Sequence, residues 1–161
     1  MNNKGNSMTI YDKLAEWRKE RRLDQVKQTK EQILTNIMEE VYEAIGLGDA
    51  SRQEAEWFVN YWLNGYVRDL KNFKLEDVSD EQFIDALGDI KVFITNGIEQ
   101  YGYNAEMVDE EIYKEISSRK QCPIQAEEWA KGEFGDNKWR KDKKQNPKTL
   151  YKANIAGCKR C

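Results

Sequence analysis

Apolar residues recur every three to four positions through the first 120 residues, the period of a helix rather than of a strand. Thr9 stands at the head of a helix carrying Ile10, Leu14 and Trp17. A longer helix runs from about Thr29 to Ile45, with Ile33, Leu34, Ile37, Met38, Val41 and Ile45 on one broad stripe, and Gly46 and Gly48 end it. Ser51 with Glu54 reads as a capping box. The helix after it carries Ala55, Val59, Trp62, Leu63, Tyr66, Val67 and Leu70. Ser79 with Gln82 reads as a second box, and Asn104 caps a last helix holding Met107, Val108, Ile112 and Ile116 after the break at Gly102. No segment alternates clearly, so the expected fold is all-α, a four- to five-helix bundle.

From Gln121 the texture changes. Gly132, Gly135, Pro147 and the run KWRKDKKQNPKTLYK predict a loop-rich tail. Trp129, Phe134, Trp139, Leu150 and Tyr151 are too many large apolar groups for a typical disordered segment. The expected organisation is therefore a helical domain over 1–120 and an extension over 121–161 that packs on the bundle or on a neighbouring subunit.

The segment FIDALGDIKVFITNG, residues 83–97, is apolar on nearly every side, which predicts a buried helix. Yet Asp85 and Asp89 share one of its faces. A buried carboxylate needs a compensating cation, either Lys or Arg from another helix or a metal ion.

Composition narrows the chemistry. The chain of 161 residues contains no histidine, which excludes a Ser-His-Asp triad and any His-ligated metal. Acid–base work then falls to carboxylates, Lys, Tyr, Cys or water. A metal site would be oxygen-rich and would favour Mg²⁺ or Mn²⁺. Of the three cysteines, Cys158 and Cys161 form a C-x-x-C, but with Cys122 they supply fewer ligands than a closed zinc site needs. No apolar run approaches the roughly 18 residues of a spanning helix. The N-terminus lacks an apolar signal region, so an intracellular, cytoplasmic protein is expected. A net charge of −3 is too small to name a partner.

On the second helix, EEVYEA supplies Glu39, Glu40 and Glu43, with Glu40 and Glu43 on one face. Alone, this reads as a solvated acidic face. Together with Asp85 and Asp89 it gives two acidic pairs on separate helices, which can converge across a bundle to hold Mg²⁺.

These residues resemble the motifs of the all-α nucleoside triphosphate pyrophosphohydrolases. That superfamily includes MazG-like proteins, phosphoribosyl-ATP pyrophosphohydrolases and dimeric dUTPases. The first motif matches at Glu39, Glu40 and Glu43. The second matches at Ala86-Leu87-Gly88-Asp89, where Ala86 replaces the usual Glu and Asp85 stands one residue earlier. The resulting D-x-x-x-D is similar to a phage-type MazG variant. Asn96 resembles a nucleotide-contacting Asn of the dimeric dUTPases. ISSRK, ending at Lys120, resembles an N-x-S-K segment, with Ser117 in place of Asn. Lys138 to Lys141, followed by LYKANI, resembles a C-terminal K-x-x-K with a Tyr-containing tail. The resemblance covers residues 30–155.

The resemblance implies hydrolysis of a (d)NTP to (d)NMP and pyrophosphate. Glu40, Glu43, Asp85 and Asp89 would hold Mg²⁺, and Glu39 or Glu40 would take the proton of the attacking water. Asn96, Arg119, Lys120, Lys138 and Lys141 would bind substrate. It also implies a homodimer or homotetramer. Two other classes compete. The basic, aromatic tail suits a nucleic-acid-binding module, the weaker reading of partner, and a non-catalytic interaction bundle would pair its acids with Lys or Arg.

Overall fold

The computed structural model describes residues 8–67, 74–135 and 138–160. Among them are six α-helices: α1 (Ile10–Glu20), α2 (Lys30–Ala44), α3 (Ser51–Trp57), α4 (Asp80–Gln100), α5 (Ala105–Ser118) and α6 (Pro123–Ala130). After α3 the chain continues as a π-helix over Phe58–Val67. No strand occurs among the described residues, only isolated bridges pairing Tyr103 with Lys159 and Gln121 with Lys141. The fold is all-α. Leu70 and Cys161 lie outside the described residues, as do the side chains of Tyr66 and Val67.

The helix starts follow local hydrogen-bond chemistry. The Thr9 hydroxyl accepts from the Asp12 N–H at 3.2 Å while the Asp12 carboxylate accepts from the Thr9 N–H at 2.9 Å. Thr29 and Gln32 repeat that reciprocal pair on α2, and Ser79 and Gln82 on α4. The Asn104 side chain accepts from the Met107 N–H at 3.0 Å. The box expected at Ser51 and Glu54 does not form. A 3₁₀ turn over Gly48–Ala50 feeds the chain into α3 already helical, so Ser51 lies inside the helix and its hydroxyl donates to Glu43 at 3.3 Å.

The chain divides into two compact units, residues 28–91 and residues 1–27 with 92–161. The division expected at residue 120 falls inside the second of these. The first unit is built on α2 packed against α3. Ser51, Ala55 and Val59 are buried once per turn, small enough for the helices to approach closely. Thr35, Leu75 and Phe83 are also buried here.

The second unit packs α1 on α5. Lys13 meets Glu110 at 2.8 Å, and Arg21 donates to the Ser117 carbonyl at 3.2 Å. The tail folds onto this pair. Gln125 is fully buried, donating to the Lys138 carbonyl and accepting from the Arg140 N–H, both at 2.7 Å. Trp129 is buried beside Phe134, and Trp17 meets Trp139 at 6.3 Å. Cys158 is buried too, and its carbonyl accepts from the Asn104 N–H at 2.9 Å.

One expectation is corrected. The apolar segment over 83–97 forms α4, but only Phe83 is buried; Ile84, Val92 and Ile94 are exposed, and Phe93 is 74% exposed. Periodicity and composition make the helix. Among the described residues, too little packs on it to cover an apolar surface that runs almost all the way round.

Candidate functional site

The acidic candidates fall in the first unit. α2 carries Glu39, Glu40 and Glu43, and α4 carries Asp85 and Asp89. The Lys30 ammonium joins the starts of these helices, 3.1 Å from Asp80 and over the Phe83 ring. Beyond that joint α2 and α4 form no extended packed pair. Asp85 and Asp89 are exposed, so neither pays the desolvation penalty that a buried position would impose. The cation inferred from burial is therefore not required within one chain.

Glu39 is engaged. Its carboxylate accepts from the Arg52 guanidinium at 2.8 Å, with both side chains about three-quarters covered. The same guanidinium donates to Asn36 at 2.9 Å and to Glu56 at 2.6 Å. Burial pulls the Arg52 pKa down, but the hydrogen bonds to Glu39 and Glu56 outweigh it and the net shift is upward. Arg52 escaped the sequence reading because it lies thirteen residues from Glu39. Only its one-turn spacing to Glu56 offered a local signal.

The donor chemistry of Glu40, Glu43, Asp85 and Asp89 suits a hard cation. Their placement does not assemble one: among the described residues, no three or more His, Cys, Asp or Glu side chains stand together as a metal site. The aromatic residues on the following turns form two stacks, Trp57 on Tyr61 at 5.3 Å and Phe58 on Trp62 at 5.0 Å. Trp57, Tyr61 and Trp62 are exposed.

The substrate-binding candidates fall in the second unit. Arg119 and Lys141 line one cavity of about 350 Å³. They are brought together because residues 120–122 pair with 140–142: the Cys122 N–H donates to the Arg140 carbonyl and the Asp142 N–H to the Lys120 carbonyl, each at 2.8 Å. Lys120 is exposed at the edge of this pairing, its N–H donating to Gln145 at 2.7 Å. Lys138 and Asn96 are exposed and do not line the cavity. Lys143, Leu150, Tyr151 and Lys152 do, and the sequence reading did not assign Lys143 or Lys152.

A second cavity, about 370 Å³, lies between the start of α5 and Asn154–Cys158. Its Glu111 accepts hydrogen bonds from Lys114, the Tyr151 hydroxyl and the Asn154 N–H, which together hold its pKa down at about 2. Glu115 is likewise lowered, by the Ala153 N–H and then by Arg119. Cys122 and Cys158 are free thiols. Among the described residues, no helix is long and apolar enough to cross a membrane.

No protein-family model matches the chain, and neither curated proteins nor solved structures give a match.

Proposed function

We propose that this chain is a Mg²⁺-dependent nucleoside triphosphate pyrophosphohydrolase of the MazG-like type, acting inside the cell as a homodimer or homotetramer. The observation that carries the reading is the two pairs of solvent-accessible acids at one-turn spacing on α2 and α4. Bound Mg²⁺ would offset triphosphate charge and lower the pKa of water. Glu40, Glu43, Asp85 and Asp89 are the residues to hold it. Glu39, which Arg52 orients, or Glu40 is the base. A water oxygen attacks phosphorus at the α–β anhydride, the bridging P–O bond breaks, pyrophosphate leaves, and the water proton passes to that carboxylate. Arg119 and Lys141 counter the charge of the phosphates, with Lys120, Lys138 and Asn96 as further contacts. The exposed apolar side chains of α4 support assembly, since a second copy would cover them.

A non-catalytic interaction bundle is the second reading, favoured by the Glu39–Arg52 ion pair. The test is incubation with Mg²⁺ and a panel of NTPs and dNTPs, with products separated by anion exchange. Nucleoside monophosphate plus pyrophosphate is expected, falling at least ~100-fold in Glu40→Ala and Asp89→Ala. Diphosphate plus orthophosphate would overturn the α–β assignment. No turnover and no response of thermal stability to Mg²⁺ would select the interaction bundle.

A further inference from the structure

Charge is spread unevenly along this chain. Residues 138–160 hold nine Lys and Arg against one acid, Asp142. Residues 1–137 hold seventeen against twenty-eight acids. A chain with a net charge of −3 therefore carries one strongly basic stretch, whose partner follows from local charge rather than from the total. Arg140, Lys143, Lys144, Lys148 and Lys152 are all exposed. No ion pair occupies the last four of these among the described residues. Asp142 is itself engaged, accepting from the Lys144 backbone N–H at 2.8 Å.

The backbone of this stretch is held in place. The Asp142 N–H donates to the Lys120 carbonyl and the Gln145 side chain to the Ser118 carbonyl, each at 2.8 Å. The Asn146 side chain accepts from the Lys148 N–H at 3.0 Å and opens the 3₁₀ turn Pro147–Thr149. The Tyr151 N–H donates to the Ser118 hydroxyl at 2.9 Å, and the Tyr151 hydroxyl donates to Glu111. A row of cations on a fixed backbone suits a ligand whose negative charge repeats along its length, since less order has to be imposed on binding. Among these cations the Tyr151 ring is 38% exposed and anchored through its hydroxyl, a surface on which a base can stack. The stretch lacks the amphipathic helix with which a basic segment lies on a membrane. Beyond Ala130 the described chain is helical only in the 3₁₀ turns Pro147–Thr149 and Ile155–Cys158.

We infer that the segment 140–152 is a binding face for single-stranded nucleic acid, with Arg140, Lys143, Lys144, Lys148 and Lys152 on the phosphates and Tyr151 stacked on a base. The single strand follows from Tyr151, because a duplex keeps the faces of its bases covered. The face uses no metal and none of the residues assigned to nucleotide hydrolysis. It holds whether or not the chain hydrolyses anything.

The full chain is titrated by fluorescence anisotropy in EDTA against labelled oligo(dT) and oligo(rU) of about 20 nucleotides, longer than the usual site of such a face, and against a DNA duplex of equal length. If each of the five cations meets a phosphate, log affinity for the single strands should fall with log salt at a slope of about −3.5. Lys143→Glu/Lys144→Glu/Lys148→Glu should lose at least ~30-fold in affinity and flatten that slope by about 2. Lys143→Gln/Lys148→Gln, a milder change, should flatten it by about 1.4 and serves where the triple variant does not fold. Lys27→Glu/Lys74→Glu/Lys131→Glu makes the same change in total charge at exposed positions outside the segment, and should stay within ~3-fold of the wild type. A folded variant of the segment that binds as the wild type does would overturn the inference. Equal loss in both triple variants would trace binding to total charge and overturn it too. A duplex bound as tightly as the single strands would remove Tyr151 from the site and overturn the single-strand assignment. A wild type that binds no oligonucleotide but is captured by phosphatidylserine vesicles would give the face to a membrane instead, and one that binds neither would leave the basic stretch as a solvated surface.

Discussion

α2 and α4 carry acids at similar spacing and open on similar caps, yet their surroundings are opposite. α2 lies against α3, its Thr35 is buried, and its Glu39 is tied into a cluster with Asn36, Arg52 and Glu56. α4 is anchored at its start through Lys30 and Phe83 and then presents Ile84, Val92, Phe93 and Ile94 to solvent. The difference teaches that periodicity decides whether a helix forms and which faces are apolar. Whether a face is covered depends on neighbours that can come from another chain.

The largest effect should come from the bare helix. If a second copy covers it, Phe93→Asp with Ile94→Asp places two charges in that contact. Burying each large apolar side chain is worth about 1.5–3 kcal/mol, so the double change should weaken association by at least ~100-fold. Size-exclusion chromatography with light scattering should show an oligomeric wild type and a monomeric variant. A monomeric wild type would break the comparison, leaving α4 exposed in solution as well.

The covered helix predicts a smaller loss. Arg52→Ala removes three charge-assisted hydrogen bonds in a mostly covered cluster and leaves Glu39 without its partner. The expected cost is about 1–3 kcal/mol, read from urea unfolding. Arg52→Lys, which keeps the charge but not the fork of donors, should recover part of it. A loss below about 0.5 kcal/mol is the value of a solvated surface pair and would mean that α2 is no better anchored than α4.

The parts of the fold legible in the sequence are those governed by residues three or four apart. Thr9, Thr29, Ser79 and Asn104 cap their helices because the cap and its acceptor are local. Ser51 carried the same signature and failed, because the turn before it was already helical. Long-range pairings were not legible. Nothing near Glu39 announces Arg52, and nothing in the spacing of Lys141 and Arg119 announces that residues 120–122 pair with 140–142. The acids of α2 and α4 were legible as pairs. Their convergence is a tertiary matter, and within one chain the described residues do not gather.

The smallest predicted effect is local and concerns the tail, the one region whose packing on the helices was expected from its aromatic content. Glu111 on α5 holds Tyr151 and Asn154 only while it is ionised. Its folded pKa of about 2 lies below the unfolded value of 4.5, because Lys114, Tyr151 and the Asn154 N–H all donate to the charged form. A depressed carboxylate contributes its stabilisation above the unfolded pKa and loses it as pH falls through the folded one. Its contribution to stability should therefore be full above about pH 4.5 and shrink below it, while the contact itself gives way only as pH falls through about 2. The amide resonances of Asn154 and Gly157 should stay fixed down to about pH 4 and move towards pH 2. In Glu111→Gln, which has no proton to gain, that movement should vanish. Movement centred at pH 4.5 in the wild type would mean that Glu111 is free in solution. The tail would then be no more firmly held than the bare half of α4.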